Sequence, residues 1–140
     1  MADEARIRAV LETLVQGIRA KDSARALRGY DNRAVFYDLA PPLRTVGPDR
    51  QGIGDWFGTW RGDIDYEITD LEISVSGDLA FAHGINRIGG TKTDGKKTSV
   101  WVRATYCLRR TGNDWKIVHE HVSVPFYMDG SVRAAIDLKP

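Results

Sequence analysis

A single cysteine, Cys107, in 140 residues excludes any internal disulfide and fits a reducing compartment. The fold must close on apolar burial alone. No apolar run approaches the roughly 20 residues that cross a bilayer as a helix. Residues 1–20 alternate apolar with charged positions and lack the uninterrupted core of a signal peptide, so the expectation is a cytoplasmic protein. Charge of one sign is also missing: 20 Lys and Arg stand against 19 Asp and Glu, a formal net charge of +1. The cations are scattered, which argues against a nucleic-acid groove or an anionic membrane surface as partner. There are no repeats, no low-complexity tracts and no linker, so the expectation is one domain over 1–140 with 126–140 as a C-terminal tail. A chain of this length buries roughly two-thirds of its unfolded surface. Four Trp, five Tyr and four Phe supply material for a core or a pocket.

The most informative stretch is VWVRATYCLRR, the turn TGND, then WKIVHEHVSVP, from Val100 to Pro125. Both arms are rich in β-branched and aromatic residues, alternate in polarity and meet at Gly112-Asn113-Asp114, so they predict a long β-hairpin. Opposing Arg110 to Lys116 places Leu108 on Val118, Tyr106 on Glu120, Ala104 on Val122 and Val102 on Val124, one apolar wall on a single face. The other face then pairs Arg103 with Ser123, Thr105 with His121 and Cys107 with His119. The apolar wall carries two polar side chains, Tyr106 and Glu120, directly opposed.

Taken in order, Ile7, Val10, Leu11, Leu14, Val15 and Ile18 recur at spacings of three and four and predict an amphipathic helix that Asp3 can cap. Asp22 can cap a short second helix through Ala24, Ala26, Leu27 and Tyr30. Ala34–Asp38 is a short strand ended by Pro41-Pro42. Gly47-Pro48-Asp49 marks a helix entry with proline in the first turn, and Ile53, Trp56, Phe57 and Trp60 follow at helical spacing. Ile64, Tyr66 and Ile68 give way to Leu71, Ile73 and Val75, a change of phase that predicts one long strand with a bulge near Asp70. After Ser76-Gly77-Asp78, one face of the next strand carries Leu79, Phe81, His83, Ile85 and Arg87. The other carries Ala80, Ala82, Gly84 and Asn86, a small-residue face suited to close packing. Val132–Leu138 reads as a short helix. Helices followed by an antiparallel meander imply an α+β fold, a bent sheet closed by helices into a cone whose hollow would take a ligand.

Helix, helix, AVFYD, a proline-led helix, then long strands ending in GNDWKIVHEHVSVP resembles the NTF2-like superfamily, in particular its SnoaL-like and ketosteroid-isomerase-like branches, over nearly the whole chain. The W-K-I-V-H-x-H-x-S ending is also similar to that of the association domain of calmodulin-dependent kinase II. YDNRAVFYD resembles the steroid-isomerase stretch that ends in a proton-shuttling aspartate, and Asp38 takes that place. The family's oxyanion hole falls on Leu14, which cannot donate, and on Tyr106, which can, so steroid isomerisation itself is not implied. The family's inward strand positions fall on Phe81, His83 and Ile85.

These residues define the expected site. A carboxylate at the mouth of an apolar cone has its ionised form disfavoured, so Asp38 suits proton shuttling; alternatively it caps the turn before Pro41-Pro42. His83 could pair with Asp38, or be a core histidine bonded to a backbone carbonyl. Tyr106 completes the catalytic set as a donor. Leu14, Tyr30, Trp56, Trp60, Phe81, Ile85, Glu120 and Val122 are the expected ligand-binding wall, with core packing the alternative role for the aromatics. The expected ligand is a small apolar or aromatic organic molecule, and the chemistry implied is that of an isomerase, hydro-lyase or cyclase, with neither metal nor organic cofactor. Cys107, His119 and His121 share a face and are ligand types zinc accepts. The preferred role of that face, with Trp101, Arg103, Thr105 and Ser123, is a homodimer interface. The rival reading is a non-catalytic assembly or ligand-sensing module.

Overall fold

The computed structural model describes residues 2–140. Helix α1, Asp3–Arg19, buries Ile7, Leu11, Leu14, Val15 and Ile18, the stripe its periodicity predicts. Its start differs from expectation: Ala2 is the N-cap and no side chain caps it. The Asp3 carboxylate is occupied elsewhere, accepting from the Trp115 indole at 3.2 Å and so tying the helix to the sheet. Helix α2, Ser23–Leu27, is capped by Asp22, whose carboxylate accepts from the Arg25 amide at 3.1 Å. The two helices touch where Gly17 meets Ala26: a Cβ on Gly17 would sit 2.3 Å from the Ala26 backbone nitrogen.

Strands β1 (Tyr30–Tyr37), β2 (Thr45–Val46), β3 (Trp60–Ser76), β4 (Leu79–Lys92), β5 (Lys97–Thr111) and β6 (Asp114–Ser123) form one sheet in the order β2-β1-β6-β5-β4-β3. It is not a pure antiparallel meander, because β1 lies parallel to β6. Helix α3, Arg50–Phe57, is entered through the N-cap Asp49, so Pro48 precedes the helix instead of opening it, and Gly58 ends it. Trp60 is therefore the first residue of β3, not the last turn of a helix. The anticipated C-terminal helix is absent: Phe126 and Ala134 form an isolated antiparallel bridge, and Ala135 is buried there. No helix among the described residues is long and apolar enough to cross a membrane.

Two bulges decide which side chains face inward. In β3 the pairing with β4 shifts between Thr69 and Glu72, and Asp70 takes a left-handed backbone, φ 53°. That extra residue lets Ile64, Tyr66 and Ile68 before it and Leu71 and Ile73 after it all turn toward the core, as the phase change predicts. In the terminal hairpin the expected pairs hold from Arg103 with Ser123 to Cys107 with His119, Tyr106 opposite Glu120 included. Beyond them Leu108 pairs with Ile117 instead of Val118, and Arg110 with Trp115 instead of Lys116. The bulge at Val118 reverses the phase of β6, and its gain is burial of Ile117 and Trp115, at 0% and 3% exposure.

Strand β4 alternates as predicted, but its faces are the reverse of those the family pattern implies. Ala80, Ala82, Gly84 and Asn86 face the core, whereas Phe81 is 49% exposed, His83 lies exposed, and Ile85 lies on the same outer face. The reason is crowding on the concave side of a bent sheet. A Cβ on Gly84 would come within 2.7 Å of the Ile68 side chain and 2.9 Å of the Thr69 carbonyl oxygen, so larger side chains are accommodated only outside.

At Gly17 the backbone of α2 leaves no room for a side chain. Gly17→Val forces α1 and α2 apart and is expected to cost about 2 kcal/mol or more. A thermal melt should show this as a fall in Tm of roughly 5–10 °C. A Tm within about 2 °C of the parent would contradict the close approach.

Candidate functional site

The concave side of the sheet carries a group of polar side chains that converge inside the apolar shell. β1 contributes Tyr30 and, one residue past its end, Asp38, which shares the inward phase of Ala34 and Phe36. β6 contributes Glu120, β5 Tyr106, β4 Asn86 and β3 Tyr66. The Tyr30 hydroxyl donates to Glu120 Oε1 at 2.7 Å. Asn86 Nδ2 donates to the hydroxyls of both Tyr66 and Tyr106, each at 2.9 Å. Asn86 and Tyr106 are wholly inaccessible, while Glu120 is half-buried and Asp38 stands exposed at the rim.

Burial dominates the electrostatics. It pushes the Glu120 carboxyl up to about 7, against the opposing pull of the Tyr30 hydrogen bond and with further help from the negative charge of Asp38. Partial burial raises Asp38 as well. Tyr66 is pushed up to about 12 by burial and by Glu120, with the donors Tyr106 and Asn86 pulling the other way. Tyr30 and Tyr106 are driven well above the ordinary phenol value by burial first. All three phenols therefore keep their protons at neutral pH. Tyr66 accepts from both Asn86 and Tyr106, so the Tyr106 O–H is spent on Tyr66 and the Tyr66 O–H is the one left to act as a donor. The Asn86 carbonyl oxygen and the Trp60 indole N–H are buried with no partner among the described residues.

The sequence-derived site residues thus fall into separate groups. Tyr30, Asp38, Tyr106 and Glu120 are brought together. Leu14 and Trp60 lie in the core cluster, with Trp56 and Val122 packed against it. Trp56 meets Trp60 edge-on at 5.9 Å between ring centroids, and the Lys92 ammonium lies 3.8 Å above the Trp60 ring. Phe81, His83 and Ile85 are not in the hollow. The rings of Phe81 and His83 stack outside at 6.3 Å, and His83 Nε2 lies 3.6 Å from Glu72. Also on the outer face, His119 Nδ1 lies 2.7 Å from the Val35 carbonyl oxygen, and Tyr37 packs edge-on against His119 and His121. Among the described residues no group of three His, Cys, Asp or Glu is placed to hold a metal ion.

Two members of the polar group escape sequence reading. Tyr66 sits between Ile64 and Ile68 and looks like another apolar wall residue, although a buried phenol needs a partner for its hydroxyl. The signal that could have found Asn86 is its being the one amide on a face otherwise made of Ala80, Ala82 and Gly84, a polar exception that calls for an internal hydrogen bond.

A helix-backed, strongly bent sheet with polar groups on its concave side is the NTF2-like cone, and the comparisons with known proteins agree. The profile of the SnoaL-like domain matches residues 7–127, and the chain belongs to that family. It is 32% identical to an NTF2-like protein of unknown function from Pseudomonas putida KT2440, with a TM-score of 0.86 over 100% of this chain and 99% of that one. A proposed dehydratase of the NTF2-like family from Streptomyces avermitilis is 17% identical, TM-score 0.76, over 89% of this chain and 97% of that one. The association domain of calmodulin-dependent kinase II from C. elegans is 16% identical, TM-score 0.67, over 86% and 94%. Comparison with functionally curated proteins yields no match.

The raised carboxyl of Glu120 makes stability depend on pH. The folded chain holds this proton up to about 7, whereas an ordinary glutamate releases it near 4.5, so Glu120 contributes an increasing penalty as pH rises through that window. Glu120→Gln keeps an acceptor for Tyr30 and removes the charge. Relative to the parent it should gain on the order of 2 kcal/mol between pH 5 and pH 8. Chemical denaturation at the two pH values measures the difference, and a gain that does not change with pH would contradict the buried carboxylate.

Proposed function

We propose that the chain binds a small, largely apolar organic molecule at the mouth of the cone and moves a proton on it. The observation that carries this reading is Glu120, a carboxylate set into an apolar wall, bonded to the Tyr30 hydroxyl and close enough to Asp38 to feel its charge. A base of this kind serves best when its pKa lies near the working pH. Glu120 takes a proton from carbon beside a carbonyl, and Tyr66, which accepts from Asn86 and from Tyr106, donates its free O–H to the oxyanion that develops. Returning the proton to a second carbon gives isomerisation; attack of the enolate carbon on a second carbonyl of the same molecule, whose oxygen then takes the proton, gives ring closure; and delivering the proton to a hydroxyl leaving group gives loss of water. Asp38 at the rim relays the proton to and from solvent. His83, on the outer face, has no part in this scheme. No step requires a metal or organic cofactor.

The outer face supports a second reading, self-association. Tyr37, Phe81, His83, Trp101, Arg103, Thr105, His119, His121 and Ser123 lie on that side, with Phe81 and Tyr37 exposed and Arg103 Nε donating to Ser123 Oγ at 3.1 Å. Aromatic and arginine side chains on one open sheet face are the composition of a subunit interface. A homodimer through this face leaves the concave side free, so it is compatible with catalysis; a non-catalytic assembly module would use the same face without the polar interior.

Native mass spectrometry of gently purified protein should show a retained organic molecule of low mass. With that compound or its precursor as substrate, Glu120→Gln is expected to lower kcat by about 100-fold or more. Activity of the parent should rise with pH through about 7 as Glu120 ionises. Turnover unchanged in both Glu120→Gln and Asp38→Asn would eliminate the catalytic reading. For the interface, Phe81→Glu should convert a dimer into a monomer in light scattering, and a parent that is already monomeric at high concentration would exclude it.

A further inference from the structure

Next to the cone's polar group, with Tyr30 common to both, an open concavity of about 530 Å³ lies between α2, the start of β1, the approach to α3 and β6. Its size suits an organic molecule and exceeds what an inorganic ion needs. Three cations from three distant parts of the sequence line it, Arg28 after α2, Arg50 opening α3 and Lys116 on β6, against a single carboxylate, Asp31. In a chain whose charges otherwise nearly cancel, this is a local excess that folding itself assembles.

The charge is also uncommitted. The ion pairs of Arg and Lys among the described residues are Arg8 with Glu4, Arg87 with Glu67 and Arg110 with Asp78; neither Arg28 nor Arg50 takes part in one. Asp31 does not neutralise them by contact, since its Oδ1 accepts from the Arg33 amide at 2.9 Å. Lys116 gives one of its three N–H groups to the Arg28 carbonyl at 3.0 Å, which fixes the ammonium beside the concavity and leaves two donors unspent. Two guanidinium forks and a positioned ammonium match the oxygens of a polyvalent oxyanion. Leu27 and Pro48 on the same wall give an apolar seat for the rest of the molecule.

We infer that this concavity is a binding site for a small organic polyanion, held through a phosphoryl group or through paired carboxylates by Arg28, Arg50 and Lys116. It shares Tyr30 with the proton-transfer site but rests on Arg28, Arg50 and Lys116, and stands whether or not that reading holds.

Isothermal titration calorimetry with inorganic pyrophosphate and with citrate tests the site and separates the two chemistries. The parent should bind at least one of them saturably at one per chain. Arg28→Gln/Arg50→Gln, both exposed positions, should weaken that binding at least tenfold. Arg109→Gln/Arg133→Gln, an equal loss of charge elsewhere on the surface, should change it less than twofold. Tighter pyrophosphate assigns a phosphoryl ligand and tighter citrate a carboxylate one. If the double variant fails to fold, Lys116→Gln serves in its place, with the same expected weakening. The site is overturned if neither anion binds the parent saturably, or if the control pair weakens binding as much as the test pair does.

Discussion

The structure depends on crowding at the concave side of a single bent sheet. Six strands curve around α1, and the curvature leaves space on the inside of β4 only for Ala80, Ala82, Gly84 and the slender amide of Asn86. A sheet bent this far cannot keep one uninterrupted alternation along 17-residue and 10-residue strands. Bulges at Asp70 and Val118 absorb the mismatch, each inserting one residue that returns apolar side chains to the core. Trp115 then reaches α1 through Asp3, and Ile117 fills the wall beside Leu108.

The same shell makes the interior polar group costly, which gives it meaning. A carboxyl taken out of water is destabilised unless hydrogen bonds replace its hydration, and Glu120 has one such bond, from Tyr30. Tyr66, Asn86 and Tyr106 satisfy one another incompletely, leaving the Asn86 carbonyl oxygen alone. An unpaired buried carbonyl carries a penalty of roughly 1–3 kcal/mol. Features that reduce stability without improving packing belong to function more often than to architecture. That logic favours an interior built to meet a guest.

Relatives constrain this less than the chemistry does. The Pseudomonas protein shares the fold over its whole length, and the kinase association domain and the proposed dehydratase share it at lower identity. One cone thus serves assembly and catalysis alike, and the side chains on its two faces must decide between them. Here the concave face carries acid–base groups and the convex face carries exposed aromatics, on opposite sides of one sheet.

The sequence alone determined the first two helices and the antiparallel hairpins of β3 to β6, because periodicity is a local property. It determined neither β2, nor the parallel pairing of β1 with β6, nor the lack of a helix over residues 132–138. The apolar stripe of α1, the bulge at Asp70 and the opposition of Tyr106 to Glu120 all follow from spacing along one or two adjacent segments. The place of Asp38 at the strand end was legible from AVFYD, of which it is the last residue, whereas a part in a site came only from the family resemblance. Which face of β4 looks inward was not, since alternation fixes two faces without saying which is crowded; contacts of Gly84 with Ile68 and Thr69 decide that, and they send His83 outside. Nor did spacing foresee the bulge at Val118, where burial of Ile117 and Trp115 outweighs an unbroken ladder. The union of Tyr66, Asn86 and Glu120, and the meeting of Arg28, Arg50 and Lys116, join residues tens of positions apart. Only closure of the sheet around the helices brings such groups within reach, because long-range proximity is set by topology and not by the order of residues.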